Sequence, residues 1–474
     1  MALTDFFLLM KHELLITVII FIILFLKIAS NDEQKTSIDN TSILNIINAL
    51  LIFNFISGLF MNAEGTLFGD MFRNTALIAF EKNILSFGTL LVSLTTYGWL
   101  KNHKHVYEFY ILMLSTLLGM FFMISSDNLM MFYLGLELST IPLAALANFD
   151  LDKKRSSEAA MKMIMMSAFA SGILLLGISF VYGTTGTLSL NLMPELLYNN
   201  PLQVFSMILL IAGFGFKISA VPFHLWTADV YEGSPSGVTA YLSVISKGAV
   251  LFVMTTVLYN AFSPLAAEWY KILFFIAVAT MVIGNLFALR QTNLKRLLAF
   301  SSIAQVGFIL VGMTGQSAEG EASIIYFILV YMFSNLGAFG VITIVSAATG
   351  RETLDDYAGF YKTNPMLTWV LALSLFSLAG IPPAAGFFAK FFLLIAGAAK
   401  ENYLLIVIAA LNMVVALYYY LIVVKVMFTG KNQNPIPTIN PGVLPLAGLM
   451  ICMLGVLVAG MYGEVYNFIR SLVS

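Results

Sequence analysis

Fourteen long apolar runs divide the sequence from end to end. They fall near 8–29, 41–62, 76–98, 108–125, 128–148, 161–183, 202–231, 237–261, 267–289, 294–313, 322–348, 365–399, 403–428 and 443–470. A helix needs roughly 20 mostly apolar residues to cross about 30 Å of hydrocarbon, so each run is long enough to span a bilayer. A β-barrel is excluded as the main architecture because its strands alternate apolar and polar residues, and Leu14–Leu26 shows no alternation. No small-residue cleavage site follows the first run, which reads as a span and not as a secretory signal. The expectation is an all-α integral membrane protein of about fourteen transmembrane helices.

Composition agrees. Hydrophobic residues make up 59% of the chain and charged residues 10%, against about 45–50% and 25% in soluble domains. A net charge of −1 offers no basic patch for nucleic acid. The single Cys452 and the four histidines, His12, His103, His105 and His224, provide no thiolate cluster and no pair in one apolar run for a bis-His haem. His103 and His105 read as a solvated loop, and no metal site is expected. There is no G-x-x-x-x-G-K-[ST] loop, and Gly213-Phe-Gly215 lacks the third glycine of a dinucleotide fingerprint. No cofactor is therefore expected on this chain, and energy must come from an ion gradient or from partner proteins.

Orientation follows from the basic residues, which collect in cytoplasmic loops. Connections after the odd-numbered spans 1, 3, 5, 9, 11 and 13 hold 15 of the 24 Lys and Arg, Lys27, Lys35, Lys153 and Lys154 among them. The opposite side holds six, Lys11, Arg73, Lys82, Lys271, Lys400 and Arg470. This places both termini on the outer side. Lys217, Lys247 and Lys390 are left inside spans.

Two runs are overlong and interrupted. Run 202–231 contains Gly213, Gly215 and Pro222, and run 365–399 contains Gly380-Ile-Pro-Pro383 and Gly386. Proline removes a helical hydrogen bond, and a broken helix at membrane depth survives only where protein or a water-filled cavity satisfies the freed backbone. Each break is in the fourth span of a five-span block, spans 4–8 and 9–13. Five is odd, so the second block enters from the opposite side, the pattern of inverted repeats around a transport site. The reading divides the chain into a three-span segment (1–107), two five-span repeats (108–261 and 262–430) and a carboxy-terminal helix (431–474).

Glu137, Lys217, Lys247 and Lys390 fall mid-span. At about 2.5–3.5 kcal/mol for each charge at the bilayer centre, four would cost on the order of 10 kcal/mol unless they face the bundle interior. Pairing of Glu137 with Lys217 is expected, worth roughly 3–4 kcal/mol at about 4–6 Å and an effective dielectric near 20. Loosening such a pair would let a desolvated lysine shed its proton, because burial disfavours the ammonium. The competing reading is a structural ion pair that fixes helix packing. With one mid-span carboxylate for three lysines, that reading leaves Lys247 and Lys390 unexplained, and both are too deep to snorkel. His224, just after Pro222, suits either a proton relay or a bond to a freed carbonyl. Asp229 and Glu232 suit a proton entrance or ordinary helix-end charges. Tyr418, Tyr419 and Tyr420 read most simply as an interfacial belt.

The run Phe214-Gly-Phe-Lys217-Ile-Ser-Ala-Val-Pro222-Phe-His224-Leu-Trp226-Thr-Ala-Asp229-Val-Tyr231-Glu-Gly-Ser-Pro235 resembles the signature of the antiporter-like membrane subunits of respiratory complex I, NADH–quinone oxidoreductase, and its ending looks like the subunit N branch. Leu134-Gly-Leu-Glu137-Leu, Leu294-Lys-Arg-Leu-Leu-Ala-Phe-Ser-Ser-Ile303 and Gly380-Ile-Pro-Pro-Ala-Ala-Gly-Phe-Phe-Ala-Lys390-Phe agree with it. The resemblance implies fourteen helices with inverted repeats and a proton path through Glu137, Lys217, Lys247 and Lys390. It also implies a place in the inner membrane beside M-type and K-type subunits, with NADH, FMN, iron–sulfur clusters and quinone on partner chains. Ala228 stands where relatives usually have Pro, and Gln305 where many have His, which removes a titrating group there and leaves a bridging water as the substitute. Alternatives are a sodium/proton antiporter subunit, a structural scaffold, and the equivalent subunit of another redox-driven pump such as a membrane-bound hydrogenase.

Overall fold

The computed structural model describes residues 3–30, 39–60 and 63–473, and Lys35 lies outside them. Thirteen helices among the described residues are long and apolar enough to cross a membrane. The first seven are α1 (Lys11–Ser30), α2 (Asn40–Gly58), α3 (Ala76–Leu100), α4 (Val106–Ile124), α5 (Leu129–Ala147), α6 (Lys154–Thr185) and α7 (Pro201–Ile218). A short α8 (Leu225–Gly233) completes the seventh run beyond its break. Then follow α9 (Ser236–Ala261), α10 (Ala266–Ala288), α11 (Leu294–Met313) and α12 (Ala318–Thr349). The interrupted twelfth run forms two shorter apolar helices, α13 (Pro365–Ala379) and α14 (Ala385–Ala398). It is followed by α15 (Tyr403–Thr429), α16 (Val443–Met461) and a terminal α17 (Glu464–Val473). Counting α13 and α14 as one broken span gives the expected fourteen.

The two five-span blocks repeat one local design. Asn128 caps α5 by accepting from the Met130 amide at 2.8 Å, and Asn293 caps α11 by accepting from the Lys295 and Arg296 amides at 2.9 and 3.1 Å. Such caps satisfy amides that the first helical turn leaves orphaned. Each Asn also forms an isolated antiparallel bridge, Asn128 to Ser189 and Asn293 to Thr353. Between cap and bridge run the two 32-residue helices, α6 and α12. Both end on a glycine in the left-handed region, Gly186 (φ 70°) and Gly350 (φ 71°), which ends a helix without a Cβ penalty. Both breaks contain a cis X–Pro peptide, Val221–Pro222 and Pro382–Pro383.

The chain packs as two compact units. One comprises the described residues within Met1–Ser93, Trp99–Phe214 and Ile245–Ala266, and the other those within Leu94–Gly98, Gly215–Val244 and Ala267–Ser474. In the first, α4 and α5 approach so closely that a Cβ on Gly135 would lie 2.6 Å from the Met123 amide nitrogen. We expect Gly135→Ala to force this helix pair apart and cost about 1–3 kcal/mol, the usual scale of overpacking, read as a lower melting temperature in detergent. A feature the sequence did not announce is a hairpin, β1 (Gly65–Leu67) with β2 (Phe72–Asn74), between α2 and α3. Its Leu67 and Phe72 pack with Leu9 and Met10 into a small apolar cluster.

Candidate functional site

The first unit carries Glu137 and Lys247. Glu137 sits on α5 at the edge of an exposed apolar stripe of Leu134, Leu138 and Ile141. The residue is half-buried, and its Oε1 is enclosed without a hydrogen-bond partner among the described residues. Lys247 is 3% exposed and directly follows a π-helical turn, Leu242–Ser246, within α9. Such turns interrupt the regular hydrogen-bond ladder and are frequent at functional sites.

The second unit carries Lys217, His224, Asp229 and Lys390. Lys217 is half-buried in the last turn of the α7 segment, and the chain then breaks at Ser219, whose φ is 64°. The backbone groups freed there find partners. The Phe216 carbonyl accepts from Trp226 Nε1 at 3.2 Å, and the Val221 amide donates to Thr280 Oγ1 at 3.0 Å. That is the condition for a broken helix at membrane depth. His224 is buried, and its Nδ1 has no hydrogen-bond partner among the described residues. Asp229 and Glu232, on α8, both bind Arg296 Nη1, at 2.8 and 2.9 Å. Arg296 Nε also donates to Gln291 Oε1 at 3.3 Å. Because Glu232 keeps its hold on a guanidinium that is partly solvated, Asp229→Asn should cost less than about 1 kcal/mol. A detergent melting curve on that variant checks the point.

The second break is built around Lys390, which is 1% exposed. Its Nζ donates to the carbonyls of Leu378 at 2.6 Å and Ala379 at 3.4 Å, the last residues of α13. The ammonium also stands 4.9 Å above the ring centre of Phe308, a cation–π arrangement. Ser377 Oγ accepts from the Gly386 amide at 3.1 Å. Gln305 joins the same group: its Nε2 donates to the Leu378 carbonyl at 3.0 Å and to the Tyr420 hydroxyl at 3.2 Å. Tyr420 in turn bonds Ser301, and Tyr419 donates to Asn285 Oδ1 at 3.1 Å. The interfacial-belt reading fails for Tyr419 and Tyr420, which are buried, Tyr420 in the hydrogen-bond group of the second break and Tyr419 on Asn285; Tyr418 is exposed.

Sequence reasoning missed a buried ionic group in the first unit. Lys82 was sorted with the outer cations, yet it is fully buried in α3 and pairs with buried Glu13 at 2.6 Å. The available signal was its position, with Glu81 and Asn83 on either side of it, seven residues into an otherwise mostly apolar run. Among the described residues, no three His, Cys, Asp or Glu side chains are grouped to hold a metal ion.

Comparison with known proteins gives these positions a context. A family model described as NADH:quinone oxidoreductase/Mrp antiporter, transmembrane, matches residues 126–416, more than half the chain. The chain belongs to that family. A protein of Azobacteroides pseudotrichonymphae named NADH-quinone oxidoreductase subunit N is 42% identical over 98% of both chains. One of the same name from Phocaeicola vulgatus is 45% identical over 86% of this chain and 87% of that one. Among solved structures, a chain of respiratory complex I from Thermus thermophilus has a TM-score of 0.83 at 26% identity, covering 96% of this chain and 98% of that one. A chain of the Mrp complex from a Dietzia species shares the fold, with a TM-score of 0.85 at 19% identity and 100% and 97% coverage. The antiporter-like fold that the motif resemblance implies is therefore the fold of this family, and the chain is a multi-pass membrane protein.

Proposed function

We propose that the chain is a proton-translocating membrane-arm subunit of an NADH:quinone oxidoreductase. The observation that carries this reading is the placement of Lys247 and Lys390, both buried in membrane-spanning helices and each set at an irregularity of its helix. A buried lysine in a membrane is costly and marks an ion pathway by default. Redox energy released on partner subunits shifts the pairing of Glu137 with Lys217. Lys217 then passes its proton, with His224 as an intermediate carrier, to Lys247 and on to Lys390, which releases it outside. Protons enter from the inner side near Asp229, whose ion pair with Arg296 opens to admit them. NADH, FMN, iron–sulfur clusters and quinone belong to partner chains, this chain itself doing no redox chemistry. It sits in the inner membrane between M-type and K-type neighbours, with both termini outside.

The test is purification of the assembled complex through a tag on this chain, followed by reconstitution into vesicles. NADH-dependent quinone reduction with many co-purifying subunits, accompanied by proton movement that sodium does not affect, is the expected result. Sodium–proton exchange by a small assembly that does not oxidise NADH would hand the case to an antiporter.

A further inference from the structure

The buried ionic group in the first three spans has a composition that packing alone does not call for. Lys82 binds Glu13 at 2.6 Å and Asn74 Oδ1 at 3.3 Å, and stands 5.0 Å above the ring centre of Phe72. The hairpin that supplies Asn74 and Phe72 closes over the pair with its apolar cluster of Leu67, Phe72, Leu9 and Met10. Beside Glu13 on α1 lies His12, 2% exposed, its ring edge-on to Phe121 with centroids 5.9 Å apart. Neither ring nitrogen of His12 has a hydrogen-bond partner among the described residues. Lys11 and Glu81 are the other charges near the group, Lys11 donating to the Ser57 carbonyl at 3.0 Å at the end of α2. Around the His12 ring stand Gly58 from α2, Asn83 from α3 and Phe121 from α4.

A polar file runs inward from this group. Ser86, Thr89 and Ser93 follow Lys82 on α3 at intervals of four, three and four residues, and all are buried. That spacing keeps them on one helix face, over about 16 Å at 1.5 Å per residue. Asn54 Nδ2 donates to Ser86 Oγ at 3.2 Å. Farther in, Ser93 Oγ bonds Asn48 Oδ1 at 2.8 Å and the Tyr110 hydroxyl at 2.7 Å.

Holding α1, α2 and α3 together needs no charge. Serine and asparagine hydrogen bonds serve between membrane helices, and a buried ion pair is often no more stable than apolar residues of the same shape. An imidazole with two unsatisfied nitrogens beside that pair adds a further penalty, and imidazole is the side chain whose proton affinity is poised near neutrality. We infer that His12, Glu13 and Lys82 form a proton-holding site at the outer end of the first three spans, separate from the Glu137–Lys390 relay and connected inward through Ser86, Ser93 and Tyr110. A proton taken by His12 makes an imidazolium that faces the Lys82 and Lys11 ammoniums, with Glu13 next to it in sequence; its release restores the neutral ring and leaves the Glu13–Lys82 pair intact. Only an N–H bond forms and breaks.

The function of this site in pumping rests on the proposed proton-translocating role, so the experiment separates the two. The whole complex carrying His12→Phe, and a second complex carrying Glu13→Gln with Lys82→Met, are reconstituted beside the wild type and Lys390→Met. Expected is retained quinone reduction, a lower proton-to-electron ratio, and a flatter dependence of proton release on outer pH in both site variants. Infrared difference spectra on an outer pH jump should show an imidazole band in the wild type that His12→Phe abolishes. A wild type that pumps and a Lys390→Met complex that does not, with site variants unchanged in ratio, pH profile and spectrum, would falsify the inference and leave the relay standing. A wild type that moves no protons sinks the relay instead, and the imidazole band then decides the site by itself.

Discussion

Complexes carrying Lys390→Arg are expected to assemble at wild-type levels and to lose proton translocation by roughly a hundredfold or more, the scale seen when a positioned proton-transfer group is removed. Arginine keeps donors for the Leu378 and Ala379 carbonyls that Lys390 holds at the end of α13, so the break stays satisfied. Its guanidinium, however, does not give up a proton in proteins. The charge is conserved and the chemistry is not. Lys390→Met should lose translocation as well, with an added cost of about 1–3 kcal/mol for the buried carbonyls it leaves bare. Proton uptake and NADH oxidation measured on the same vesicles check both variants, and an arginine complex that pumps at the wild-type rate would remove Lys390 from the path.

Lys82→Met alone is expected to be among the most damaging single substitutions outside the relay. It strands the Glu13 carboxylate, 1% exposed, under the apolar hairpin, and breaking one side of a buried ion pair costs about 3–5 kcal/mol. Adding Glu13→Gln removes the orphaned charge and should recover most of that loss. The melting temperature of the detergent-solubilised complex reads both effects. Equal temperatures for the single and double variants would mean that the two side chains do not depend on each other.

The parts of the site that were legible in the sequence are those set by cost. Lys247 and Lys390 declare themselves because a charge ten residues inside an apolar run has few innocent explanations, and the two breaks declare themselves through Pro222 and Pro382–Pro383. Sorting basic residues by side says nothing of burial: Lys82, counted with the outer-side cations, is fully buried and paired with Glu13. Pairings across long stretches of chain were also invisible. Nothing local to Asp229 shows that Arg296, on a helix three spans later, would hold it. The tyrosine triplet failed for a related reason, because successive residues of a helix point about 100° apart and only one of the three faces outward. The π turn ahead of Lys247 has no composition signal of its own, and the hairpin lay in a stretch between spans whose glycines fit any loop.

Lys390 is held at the end of α13 through its amine. Its amine serves two carbonyl oxygens, and an uncharged primary amine retains two hydrogens for them. Losing the third hydrogen costs the helix end neither bond and uncovers a lone pair ready to accept a replacement. The socket therefore has the same shape loaded and empty. Ion occupancy at this point need not be tied to backbone rearrangement, and any large movement in the cycle has to be sought elsewhere in the chain or in its neighbours.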